Sequence, residues 1–121
     1  MLQWDAMDTL FGSAIRTGTL VAVGRLNRSY AAEIARLLGY RVVEIRRAIT
    51  SLERAGVIVT TRLGTTRLVE LSPRFEARDE LYALLLRLSE LPKYKKRWNV
   101  RRRPRAIGKA LWTSKVSPSL K

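Results

Sequence analysis

The 121-residue chain contains no cysteine and no histidine. Without thiols it can form no disulfide and no cysteine-based metal site, and without imidazole the commonest neutral metal ligand is gone as well. The same absences remove the most frequent general base and the most reactive nucleophile. Neither an enzyme nor a cofactor is therefore expected. Long apolar runs are also missing: no stretch approaches the roughly 18–20 residues that cross a bilayer. No membrane partner is expected. The opening MLQWDAMDTL lacks a basic segment followed by an apolar one, so no secretory signal is expected and the expected location is the cytoplasm.

Negative charge is scarce. The chain has 24 Lys and Arg against 10 Asp and Glu, a formal net charge of +14. A field of that size concentrates polyanions around the protein. The charge is unevenly spread. Residues 93–121 carry eleven basic side chains and no acid, which leaves only +3 over residues 1–92. Residues 1–92 are expected to form one folded domain and residues 93–121 a basic C-terminal arm. The hydrophobic fraction of 46% is enough for a real core.

The apolar spacing predicts four helices, at about 8–23, 29–38, 41–55 and 76–91, with a hairpin at 57–71. Asp8 is the expected cap of the first helix, Ser29 of the second. Residues 24–28, GRLNR, read as the turn between them. Gly39 and Gly56 are the expected stops of the second and third helices. Alternation at 57–61 and 66–71 on either side of a Gly-containing loop gives the hairpin. Leu81, Leu84, Leu85, Leu88 and Leu91 form a leucine stripe on the last helix, and Pro92 is expected to close it. The fold class is thus mainly α with a β-hairpin, an α+β arrangement in the order of a winged helix-turn-helix.

Three segments carry a resemblance. LFGSAIR at 10–16, AAEIARLLGYRVVEIRRAITSLERAGVI at 31–58 and TTRLGTTRLVELSP at 60–73 resemble, in turn, the opening, helix-turn-helix core and wing of the ArsR-type winged-helix repressors of bacteria, and more loosely the MarR type. The resemblance spans residues 8 to about 90. It implies a homodimeric transcriptional regulator, expected to be a repressor, that binds double-stranded DNA. It implies dimerisation through the first and last helices, here through Leu10, Phe11 and the leucine stripe. Two-fold symmetry would set two recognition helices about 34 Å apart on a palindromic site. Metal sensing through cysteine, known in the founding branch, does not carry over. A small-molecule or protein effector is left open.

The helix at 41–55 is the expected reader of DNA. Ile45, Ala48, Ile49 and Leu52 pin it to a core, which leaves Val42, Val43, Glu44, Arg46, Arg47 and Thr50 facing outward. Arg pairs bidentately with guanine, Glu accepts from the cytosine amine, and a small apolar group meets the thymine methyl. Arg41, which cannot act as an acceptor cap, is expected to reach a phosphate. Glu53 and Arg54 read as surface charges. In the wing, Arg62, Thr65, Thr66 and Arg67 are expected on the backbone or the minor groove. In the arm, Arg101, Arg102, Arg103 and Arg105 are expected to clamp phosphates. RRRPR faintly resembles the AT-hook core R-G-R-P, with Arg102 in place of its glycine. Trp98 and Trp112 either stack on bases or a partner, or anchor the arm to the body. The alternative function is an architectural or RNA-binding protein of low sequence specificity.

Overall fold

The computed structural model describes residues 9–98. Over that span the chain is mainly helical, with five helices and one two-stranded antiparallel hairpin. The order is α1 (Ala14–Leu26), α2 (Ala31–Leu38), α3 (Val42–Arg54), β1 (Ile58–Leu63), β2 (Thr66–Leu71), α4 (Arg78–Ser89) and α5 (Pro92–Lys95). Among the described residues, no helix is long and apolar enough to cross a membrane.

Helix α1 starts and ends later than the expected 8–23. Gly12, at φ +112°, turns the chain, and Ser13 then caps the helix by accepting the Arg16 N–H on its Oγ at 3.1 Å. The cap expected at Asp8 lies outside the described residues. At the other end the helix runs on through Leu26, and Asn27, at φ 72°, is the first residue to leave it. Asn is enriched among the non-glycine residues found at positive φ. The turn expected over 24–28 therefore contracts to the residues around Asn27. Every residue from Thr17 to Gly24 is buried. A helix enclosed on all sides has no polar face, which is why its periodicity is faint in the sequence. Gly24 makes the enclosure possible. A Cβ there would stand 2.6 Å from the Leu85 Cβ, so α4 crosses α1 at backbone distance.

Ser29 does not cap α2. It pairs antiparallel with Val69 through two backbone hydrogen bonds of 3.1 and 2.7 Å, which ties the hairpin to the body. Its hydroxyl donates to Glu33 Oε1 at 2.6 Å. Tyr30 takes the cap position with no side-chain bond to the backbone. Gly39, at φ +81°, ends α2 as expected. The hairpin pairs Ile58 with Leu71, Thr60 with Val69 and Arg62 with Arg67 on one face. That face buries Ile58, Val69 and Leu71 in the core formed with α1, α2, α3 and α4. Gly64, at φ +66°, allows a tight turn between Leu63 and Thr66.

Helix α4 withdraws two leucines from the expected dimer surface. Leu85 and Leu88 are buried in the chain's own core. Leu81, Leu91 and Phe11 are half-buried against the same core, and only Leu84 at 40% and Leu10 at 47% are well exposed. The reason is the close α1–α4 crossing at Gly24, which lets one chain cover its own leucines. Pro92 does not end the helical region either. It opens α5, as a proline with no N–H to satisfy can. Consequently the expected arm does not begin at residue 93. Tyr94 and Trp98 are each 5% exposed, with rings stacked at 6.4 Å between centroids. Trp98 Nε1 donates to the Ser89 carbonyl at 2.9 Å, and Arg97 Nη1 donates to the Leu37 carbonyl at 3.3 Å. Of the two readings of Trp98, anchoring to the body is the observed one.

Candidate nucleic-acid interface

Helix α3 owes its orientation to four buried residues, Ile45, Ala48, Ile49 and Leu52. They recur at helical spacing and turn the opposite stripe to solvent. Arg16 holds the helix from behind, its Nη1 donating to Ser51 Oγ at 2.8 Å. Val43, Arg46, Arg47 and Thr50 are exposed on the outward stripe, and Arg41 is exposed just before it. Two of the expected outward residues differ. Val42 is half-buried and packs against the core, because it lies on the edge of the buried stripe next to Ile45. Glu44 is half-buried, and its Oε1 accepts the Arg41 N–H at 3.2 Å. This is one half of a capping box, with glutamate at the third helical position. The other half is missing, since a guanidinium cannot accept a hydrogen bond. Glu44 thus serves the start of the helix, and the carboxylate also suits the positive end of the helix dipole.

The hairpin brings two arginines face to face. Arg62 and Arg67 are directly paired across the strands. Like charges in that position destabilise a hairpin. Arg67 is partly neutralised by α3. Its Nη2 donates to Thr60 Oγ1 at 3.0 Å and lies 3.9 Å from Glu53 Oε1. Thr60 Oγ1 in turn donates to Glu53 Oε2 at 2.9 Å. The network clips the hairpin to the C-terminal half of α3.

Between α3, the start of α2 and the hairpin lies an open groove of about 590 Å³. Arg46, Thr50 and Glu53 line one side, and Arg62, Thr65 and Arg67 the other. Three guanidinium groups and one carboxylate therefore share one concave surface. Thr65 is exposed at the turn, and Thr66, half-buried, also lines the groove. The expected residues Arg46, Thr50, Arg62, Thr65, Thr66 and Arg67 are thus brought together, while Val43 and Arg47 stand on the helix face beside them. Arg101, Arg102, Arg103, Arg105 and Trp112 lie outside the described residues.

Sequence reasoning missed Glu53 and Thr60 as members of the site. A signal for Glu53 was present: it follows Arg46 by seven residues and Thr50 by three, which puts all three on one stripe. Thr60 carried no such signal, since its partner is set by the angle of the hairpin to α3. The chain matches no family model and no curated protein sequence.

Proposed function

We propose that the chain is a winged-helix protein that binds double-stranded DNA and acts as a transcriptional regulator, in the manner of the ArsR-like repressors it resembles. In this reading α3 enters the major groove, the β1–β2 hairpin is the wing, and repression follows from occupying an operator. The observation that carries it is the juxtaposition of the outward stripe of α3 with the Arg62–Arg67 pair across one groove. Arg46 and Arg47 suit bidentate contacts to guanine, and the methyl groups of Val43 and Thr50 suit contact with thymine. A phosphate between Arg62 and Arg67 would offset their mutual repulsion, and contacts of that kind fix register. The net charge of +14 supplies the long-range attraction. A homodimer belongs to this reading through the resemblance alone, since Leu85 and Leu88 are occupied within the chain.

One observation favours the second reading, a duplex binder of low specificity. With Val42 against the core and Glu44 at the helix cap, four side chains of α3 remain for the bases. A titration at about physiological salt separates the two readings. It compares DNA from upstream of the protein's own gene with a scrambled duplex. Affinity at least ~10³-fold tighter for the native sequence supports the regulator. Equal affinity supports the low-specificity reading. Binding to neither duplex would rule out both.

A further inference from the structure

We infer that Glu53 sets the sequence discrimination of this groove, as a positioning residue that withholds Arg67 from unselected phosphate. The inference rests on the DNA-binding reading above. Glu53 is the single carboxylate among the described residues that line the groove, and it stands among Arg46, Arg62 and Arg67. Its two oxygens are both engaged with the hairpin, Oε2 by the Thr60 hydroxyl at 2.9 Å and Oε1 by Arg67 at 3.9 Å. Arg67 is also held by Thr60 at 3.0 Å. A bound phosphate on Arg67 must displace or share this carboxylate. The gap of 3.9 Å is long for a charge-assisted bond, and both side chains are more than a third exposed. The pair is therefore weak enough to open.

The consequence concerns specificity more than affinity. On random duplex, where α3 finds no matching bases, Arg67 stays on Glu53 and one phosphate contact is not made. On a matching site the base contacts of α3 seat the duplex deeply enough for phosphate to take Arg67 over. Glu53 thus lowers affinity for random DNA more than for a matching site. An acid in a basic groove is repulsive to every duplex, and only the correct one compensates for it.

The test is a set of binding titrations over a salt series on random duplex and on duplex from upstream of the protein's own gene. The proteins are wild type, Glu53→Gln, Arg67→Ala, the double variant, and Glu80→Gln. Glutamine keeps an acceptor for Thr60 while removing the charge. Glu80 is exposed at the start of α4, and its variant corrects for loss of one negative charge anywhere. Recruiting one more phosphate contact steepens the log–log salt slope by about 0.9, which corresponds to about fivefold tighter binding near 0.15 M salt. On random duplex, Glu53→Gln is expected to show both changes relative to Glu80→Gln, and to lose them when Arg67 is alanine. Thermal melts of each variant confirm folding. A random-duplex Glu53→Gln slope equal to that of Glu80→Gln overturns the inference, as does a tightening that persists without Arg67 or one that is equal on the random and the native duplex. Wild type that binds duplex but with unaltered Glu53→Gln behaviour sinks only this inference. Wild type that binds no duplex sinks the function with it.

Discussion

Replacing Gly24 with alanine should destabilise the protein although alanine is the better helix former. The new Cβ would stand 2.6 Å from the Leu85 Cβ and 3.1 Å from its Cδ1. Non-bonded carbons rest at about 3.5–4.0 Å, so the two helices must separate by about 1 Å at the crossing. The atom met is a Cβ, which moves only with its own backbone, and no rotamer change relieves the contact. Overpacking a core costs about 1–3 kcal/mol, and a backbone-borne clash belongs at the upper end. Against it stands a helix-propensity gain of about 1 kcal/mol. The net loss is about 1–2 kcal/mol, a fall of very roughly 4–16 °C in Tm for a domain of this size. Gly18→Ala is the matched control. It gains the same propensity on the same helix, but meets only the Leu38 Cδ1 at 3.1 Å, the far end of a side chain that can turn away. It should be neutral or slightly stabilising. Urea unfolding and thermal melts followed by circular dichroism measure both. A Gly24→Ala protein as stable as Gly18→Ala would refute the close α1–α4 crossing, and with it the burial of Leu85 inside one chain.

Trp98→Ala should cost about 3–5 kcal/mol in urea unfolding, as for other buried aromatics, and Trp98→Phe about 1–2 kcal/mol for the buried Ser89 carbonyl left without its donor. If residues 93–98 were a solvated arm, neither change would register. Glu44→Ala should lower stability by about 0.5–1 kcal/mol through loss of the half capping box. It should also speed hydrogen exchange at the Arg41 amide, which now donates to that carboxylate. Gly64→Ala should loosen the hairpin by about 1 kcal/mol, because the backbone sits at φ +66°. No neighbour lies within 4 Å of the added carbon, so backbone strain alone accounts for the effect.

The elements whose residues alternate between core and solvent were legible in the sequence. Helix α3 shows its buried stripe of Ile45, Ala48, Ile49 and Leu52, and the hairpin shows its Gly64 turn. Their boundaries shift by a residue or two. What was hidden depended on tertiary partners. The enclosure of α1 leaves no polar face to read, and Gly24, which reads as the start of a turn, is instead its contact point with α4. The leucine stripe of α4 is visible in the sequence, but its burial within one chain depends on the closeness of the crossing at Gly24, which no local pattern shows. Tyr94 and Trp98 sit in a run of lysines whose charge suggests a solvated tail, yet their rings bury while the lysine heads remain at the surface. Within the candidate site, exposure of Arg46, Arg47 and Thr50 followed from periodicity. The engagement of Glu44 by its own helix start, and of Glu53 by the hairpin, did not.

The central claim is that duplex DNA is held by the outward face of α3 and not only by the charge of residues beyond 98. It is tested most directly by fluorescence anisotropy titrations of a labelled duplex with wild type and with the Arg46→Ala, Arg47→Ala double variant, over a salt series and with equal folding checked by thermal melts. Loss of two contacts worth about 1–3 kcal/mol each should weaken binding by at least tenfold. Where those contacts reach phosphates, it should also lower the salt slope by up to about 2. A double variant that binds with wild-type affinity and an unchanged slope would contradict the claim.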